Sequence, residues 1–423
     1  MQGTKRCFLS WDERTDFRGN DECLRIFIKD VFSNIFMKTT RAWKFRLYPS
    51  KTQQRELTDY LDECKTLWNE LLECTKKYYE ETGRFPIRKQ LYLQTKETPL
   101  FSQVAQNVAD RLVKSLKGAI ARKKAGRKVG FPRFKALERM KSFTYPQFGF
   151  RLDERLELSG VGIVSIKKHR QVQGKVKTLT IKKMPSGKWF AVFTTKTETT
   201  IPCRKTGPEV GIDVGLEHFA CLSDGEVIEN PRYLKQAEER LKETHQQLSS
   251  KKKGSKNRQK ARHRVAIAYE TITNRRLDFL HKTSRKLVNS YSFLALENLN
   301  VAELAGGYLA KSVLDCSWAE FVSMISYKAE EAGCEVVLVD PAHTSQKCSS
   351  CGLIRKKSLA ERWHDCPCGA SMHRDLNAAI NILNRATGGT PGSQACGEET
   401  PTSYKHNWQV SSLKQEAHAF RHG

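Results

Sequence analysis

The sequence predicts a basic β-barrel interrupted by a helical segment, followed by an α/β domain with a metal-stapled insertion. Three observations predict it. Short β-rich runs flank a long stretch of helical periodicity between residues 37 and 200. From residue 209 a hairpin meander gives way to long helices and continuous apolar strands, the texture of an α/β sheet. Four cysteines in two close pairs, a metal-ligand spacing, stand between the last strand and the last helix. At 423 residues the chain is too long for one ordinary core, so two or three domains are expected.

Composition narrows the function class. Lys and Arg number 73 against 46 Asp and Glu, a net charge of +27. So large an excess needs a polyanion, and nucleic acid is the natural one; solubility alone is met by far less imbalance. No apolar run approaches the roughly 18 residues of a membrane span. The N-terminal MQGTKRCFLSWDERTDFRGNDEC is broken by acids and has no apolar stretch of the signal-peptide kind. Thirteen cysteines, an odd number and mostly scattered, argue against a secreted disulfide framework. A reducing cytoplasm is expected, with no membrane partner.

Residues 1–36 lack clear periodicity and read as an extension. In 37–51, Trp43, Phe45 and Leu47 alternate with Lys44 and Arg46, giving a half-exposed strand with a basic face that Pro49 and Ser50 end. Over 52–125 the stripe Leu57, Leu61, Cys64, Leu67, Trp68, Leu71 predicts a helix core, and a second helix runs from about Phe101 to Arg122. Gly126, Gly130 and Pro132 break helix in RKKAGRKVGFPRFK. There Arg127, Lys128, Arg133 and Lys135 beside Phe131 and Phe134 suit a phosphate backbone with base stacking, although a solvated loop looks similar. Across 126–200, SFTYPQFGF, VGIVSIKK, VKTLTIKK and KWFAVFTTK predict strands of a small antiparallel barrel, completed by the strand near Phe45. Residues 201–208 are a linker, and 209–343 begin the α/β domain.

Three acids stand out in that domain. In VGIDVGLEHFACLSDGEVIE, Asp213 interrupts an apolar strand, a costly place for an acid unless it is paired or bound to metal. The strands that follow, with Asp224-Gly225 as the hairpin signal, form the meander with which RNase H-like folds begin. From Lys251 to Leu287 there are 13 Lys and Arg against two acids. Val265, Ile267, Ile272, Leu277, Leu280 and Leu287 bury one side, leaving a basic face with Arg258 and Arg262 for nucleic acid. The apolar run Phe293–Leu296 fits a buried parallel strand and ends in Glu297, where α/β sheets place ligands. A helix from about Trp318 to Ala332 and the strand CEVVLVD come next. Over 373–384, Asp375 opens a helix whose face is Leu376, Ala379, Ile380 and Leu383; an N-cap role alone would justify that Asp. Taken in order, the acids can meet at one sheet edge, where two Mg²⁺ ions would relieve their repulsion and serve phosphodiester hydrolysis.

CSSCGLIRKKSLAERWHDCPCG places Cys348, Cys351, Cys366 and Cys368 as C-x2-C, fourteen residues, C-x-C. Four thiolates fit a structural zinc in an insertion over 344–372, with Gly352 and Gly369 permitting the knuckle turns. His364 and His373 are spare ligands should the short pair fail. The segment from Arg385, GGTPGSQACGEETP included, reads as a disordered tail with Cys396 unpaired.

GIDVG, LENLN, CSSCG…CPCG and HRDLNAAINIL, in that order, resemble the TnpB family. These are RNA-guided nucleases of bacterial and archaeal insertion sequences, long labelled OrfB-type transposases and similar to the ancestors of type V CRISPR effectors. KFRLYPSKTQQ and GFPRFK are also typical, and the resemblance covers about residues 37–384. It implies a RuvC-like nuclease site at Asp213, Glu297 and Asp375, zinc on the four cysteines, a wedge domain from the barrel strands and a recognition lobe over 52–125. It further implies a guide RNA from the element's own end, double-stranded target DNA beside a short motif, and a nucleoid-associated prokaryotic setting. Members begin near the position of Met37, so 1–36 stand apart, and C-x-C occurs in part of the family. Two other readings use the same scaffold: a guided DNA-binding regulator that does not cut, and a transposase that joins strands itself.

Overall fold

The computed structural model describes residues 36–388 except 201, 305, 308–309 and 359–360. The predicted extension, Phe36 aside, and the predicted tail beyond residue 388, with Cys396, lie outside the described residues. The chain divides into two compact units, the second beginning at Pro202 and including Pro185–Gly187.

The first unit opens with strand β1 (Phe36–Leu47), followed by helices α1 (Lys51–Thr82), α2 (Arg88–Gln94) and α3 (Ser102–Lys124). Ser50 and Gln53 form a capping box that starts α1, and Gly83, at φ 67°, ends it in the left-handed region that favours glycine. All six residues of the predicted stripe on α1 are buried. Seven further strands follow: β2 (Ser142–Tyr145), β3 (Phe150–Leu152), β4 (Leu156–Leu158), β5 (Gly162–Val164), β6 (Ile166–Lys167), β7 (Lys175–Lys183) and β8 (Trp189–Thr200). β1 inserts between β8 and β6, so the strand near Phe45 does complete the sheet. The strands expected to form a small antiparallel barrel lie in two sheets, β2-β7-β8-β1-β6 and β3-β4-β5, over one shared core. Tyr145 illustrates the join: its ring packs against Phe150 and its hydroxyl donates to the backbone Ser159 O at 2.8 Å, so a side chain does the work of strand pairing.

The second unit is an α/β sheet in the order β11-β10-β9-β12-β13. Strands β9 (Glu209–Val214), β10 (His218–Leu222) and β11 (Val227–Glu229) form the predicted antiparallel meander. β12 (Phe293–Glu297) and β13 (Glu335–Val339) run parallel to β9, which is the RNase H-like arrangement. Two short helices, α4 (Tyr233–Gln236) and α5 (Glu238–Ser249), precede the long α6 (Lys256–Ser290). Then come α7 (Val301–Leu304), α8 (Ala310–Cys316) and α9 (Trp318–Ala332). β14 (Trp363–Asp365) pairs with β15 (Ser371–His373), and α10 (Arg374–Thr387) runs three residues beyond its expected end. On α6, Val265, Ile272, Leu280 and Leu287 are buried as expected, whereas Ile267 is exposed; it lies two positions from Val265, off that face of the helix. No described helix is long and apolar enough to cross a membrane.

Candidate active site and cysteine metal centre

Strand alternation decides which side chains meet. In β9, Val210 and Ile212 join the core that also holds Phe321 of α9 and Leu280 of α6. Gly211 and Asp213 therefore face the other side of the sheet, where α10 lies. In β12, Leu294 and Leu296 enter the same core, while Phe293 and Ala295 pack with Ile382 of α10. Glu297 continues that second row. Ala295 is opposite Gly211 and Leu296 opposite Ile212, so one more step along the two parallel strands sets Glu297 alongside Asp213.

α10 brings the third acid. A Cβ on Gly211 would stand 2.1 Å from Ala379 O and 2.8 Å from Leu383 N. The helix backbone rests on the glycine, which is why a side chain is excluded there. From Gly211 to Asp213 is two strand residues, about 6.6 Å; from Ala379 back to Asp375 is one helical turn, about 6 Å. The steps match, and Asp375 lies close enough to raise the proton affinity of Asp213. The N-cap of α10 is His373, whose ring nitrogen accepts the Asp375 N–H at 3.4 Å. Capping therefore does not account for Asp375.

Charge is concentrated here. Burial pushes the Asp213 carboxyl well above the usual carboxylate range, and Glu297 and Asp375 push the same way, with Arg374 pulling partly back. Burial also raises Glu297; the Thr344 hydroxyl and Arg385 oppose the rise, and Asp340 adds to it. Cys221, directly opposite Asp213 on β10, has its thiol pushed up to about 11, by burial first and then by Asp213 and Asp375. A half-buried cluster of carboxylates that repel one another is the donor set a divalent cation satisfies.

Sequence reasoning missed the residues that tie this edge to the cysteine loop. Thr344 is buried and donates its hydroxyl to Glu297 Oε1 at 2.6 Å. Asn381 donates to Thr344 O at 2.8 Å and to Lys347 O at 2.6 Å. One turn earlier, Asn377 donates to Lys347 O at 2.8 Å and accepts from Ser349 N at 2.9 Å. The inner face of α10 is thus Asn377, Ala378, Ala379, Asn381 and Ile382, and the predicted Leu376, Ile380 and Leu383 are only half-buried. The helix covers loop backbone as well as apolar sheet, and loop backbone needs hydrogen-bond partners. Two asparagines at i and i+4 in an otherwise apolar helix were the available signal.

The cysteines converge. All four sulfurs lie within 4.8 Å of one another, with Cys348–Cys368 at 3.7 Å and Cys351–Cys366 at 3.5 Å. A tetrahedral zinc with Zn–S near 2.3 Å needs sulfurs about 3.8 Å apart, so the donor set fits. Gly352 and Gly369, at φ 80° and 88°, donate to Cys348 O and Cys366 O and form the two knuckles. The shorter C-x-C pair closes the cluster without a histidine. His364 is buried beside Lys357, and His373 caps α10. Among the described residues this is the one group of three or more acids, histidines or cysteines packed so tightly.

The basic candidates divide by what they touch. Lys44 is exposed with Nζ 4.4 Å from the Phe190 ring centroid, and Arg46 lies 5.3 Å from the same ring. Arg127, Lys128, Arg133 and Arg262 are exposed. Lys135 sits 3.3 Å over the Trp68 ring, and Asn69 holds its backbone at both N–H and C=O. Arg258 donates to Leu248 O at 3.0 Å and Lys251 O at 2.9 Å, closing the end of α5. Lys135 and Arg258 therefore have structural tasks.

Three family profiles match the chain: one described as "Probable transposase" over residues 192–306, a "Cas12f1-like, TNB domain" over 318–382, and a "Helix-turn-helix domain" over 37–84. In this structure residues 37–84 are β1 and the single helix α1. A Streptomyces pristinaespiralis protein named "Putative RNA-guided DNA endonuclease" is 32% identical over 397 residues, covering 90% of this chain and 97% of that one. The Escherichia coli (strain K12) protein named "Putative RNA-guided DNA endonuclease InsQ" is 30% identical over 377 residues, 82% of this chain and 92% of its own. The CRISPR-associated endodeoxyribonuclease Cas12f1 of Sulfoacidibacillus thermotolerans is 32% identical over 121 residues, 27% of this chain and 28% of its own. With relatives of 30% identity or more matched over nearly their whole length, the chain belongs to the TnpB family of OrfB-type insertion-sequence proteins.

Proposed function

We propose that this protein is an RNA-guided DNA endonuclease of an insertion sequence, cutting target DNA beside a short adjacent motif and so linked to the element's transposition and retention. Its nuclease centre is the edge formed by Asp213, Glu297 and Asp375. The observation that carries the reading is the meeting of acids from three distant segments at one sheet edge, where Glu297 and Asp375 raise the proton affinity of the buried Asp213, in a chain whose relatives are named as endonucleases. The three carboxylates would hold two Mg²⁺, which when bound supply an activated water and charge stabilisation at the leaving oxygen. Thr344 orients Glu297, and Arg374 offsets the negative charge around Asp213. The four cysteines hold a structural Zn²⁺, fixing the loop that delivers Thr344.

In this reading a guide RNA selects the target by base pairing, and the protein supplies phosphate contacts and the reading of the adjacent motif. The two sheets of the first unit act as the wedge, and α1–α3 as the recognition lobe. Lys44, Arg46, Arg127, Lys128, Arg133 and Arg262 contact nucleic acid.

The test is purification with the co-purifying RNA, sequencing of that RNA, and assay on DNA matching its end. Asp213→Ala should lose cleavage by on the order of 10³-fold while target binding stays within about twofold. Undiminished cutting by Asp213→Ala would remove that residue from the mechanism. Binding without cutting by the wild type in Mg²⁺ or Mn²⁺ would favour a guided regulator instead.

A further inference from the structure

We propose that Trp363 is a stacking platform for an unpaired base of the DNA strand presented to the acids; this rests on the nuclease reading above. Trp363 lies on β14 opposite His373 of β15, and 54% of its surface is exposed. Leaving most of an indole in water forgoes a large burial gain. Yet the ring is not loose. Its Nε1 donates to Ser371 Oγ at 2.7 Å, and Ser371 Oγ donates to Asp365 Oδ1 at 2.6 Å. Its ring stands nearly perpendicular to that of His373, at 84° with the centroids 6.3 Å apart. The indole N–H is thus satisfied internally, and the exposed part of the ring is apolar and held in place.

Position and charge identify the occupant. His373 stands between the indole and the acids, its Nδ1 3.9 Å from Asp375 Oδ2. From Leu353 to Arg374 the sequence carries five Lys and Arg against two acids, and of the five Arg362 pairs with Glu217 at 3.2 Å. One of those acids, Glu361, accepts from Ser358 N, and the other, Asp365, accepts from Ser371. A rigid aromatic in a basic surround is the combination that holds single-stranded nucleic acid, with stacking for the base and cations for the backbone. Bases inside a duplex already stack on one another, so the platform takes a base only from a strand that has been opened. A base held there keeps its strand at the acids.

The experiment has two arms. In the first, the intact protein binds a short single-stranded DNA at raised salt, where phosphate contacts are weakened. Trp363→Ala should bind about 10-fold more weakly and Trp363→Tyr about as well as the wild type. An oligonucleotide with abasic positions should cost the wild type a similar factor and leave Trp363→Ala unaffected. Equal zinc content in all variants verifies that the loop has folded. Equal binding by Trp363→Ala, or the same abasic penalty in both proteins, overturns the proposal. In the second arm, guide-loaded Trp363→Ala should cut about 10-fold more slowly with target binding unchanged. Single-strand binding through Trp363 in a wild type that never cuts would sink the nuclease reading and leave the platform standing. Normal cutting by Trp363→Ala would do the reverse.

Discussion

At the scale of single residues, Asp213 stands where its negative charge opposes the stability of the fold. Its carboxyl holds a proton more tightly in the folded chain than in the unfolded one, because it is buried beside Glu297 and Asp375. The native state therefore binds more protons than the unfolded state across the interval between the two pKa values. In the absence of divalent ions this group's contribution falls as pH rises through that interval, and its penalty is complete above the raised pKa. Replacing the charge with a neutral isostere removes the penalty. We expect metal-free Asp213→Asn to be more stable than wild type at about pH 8 by ~1 kcal/mol, or about 2–4 °C in melting temperature. The advantage should shrink toward acid pH, where the wild-type carboxyl is protonated too. It should also shrink in Mg²⁺, which stabilises only the protein with the full set of carboxylates. Calorimetry of both proteins at two pH values, with and without Mg²⁺, checks the sign; a variant less stable at the higher pH contradicts it.

At the scale of elements, the site depends on how closely α10 lies on β9. Gly211 sets that distance, because a methyl group there would overlap the helix backbone at Ala379. Gly211→Ala should lift or shift α10, costing ~1–3 kcal/mol as overpacked cores do. It should also cut cleavage by about 10²-fold, since a displacement near 1 Å suffices for that. Zinc content should be retained, because the four cysteines lie outside the contact; cleavage within a few-fold of wild type would show that α10 does not set the geometry. Much of this arrangement was legible from local pattern. The bounds of α9 and the apolar runs of β12 and β13 followed from periodicity and from Phe293–Leu296 and CEVVLVD. The acids were legible because each interrupts, ends or opens a segment with a clear apolar pattern. Three features depended on contacts between distant segments, which local pattern does not specify. Asn377 and Asn381 bury themselves against a loop some thirty residues upstream. Thr344 has meaning only beside Glu297, 47 residues away. The barrel strands divide between two sheets because of pairings that alternation cannot specify.

At the scale of the whole molecule, the net charge of +27 is a statement about binding order. A protein this basic attracts any nucleic acid by releasing its condensed counterions, and that attraction carries no sequence information. Left uncovered, it would hold the chain on random DNA. A guide RNA changes the balance, because its phosphates occupy basic surface and its bases take over selection. The free protein should therefore bind arbitrary DNA with a steep salt dependence, near −0.9 in the logarithmic slope for each phosphate contacted. The RNA-loaded protein should show a shallower slope on non-matching DNA and a large gain on matching DNA, because base pairing is far less sensitive to counterion release. Filter binding or anisotropy across a salt series, with one matched and one unmatched duplex, gives both slopes directly. If loading the RNA left the unmatched slope unchanged, the basic surface would belong to the DNA alone, and the guide would have to be held by contacts that do not depend on charge.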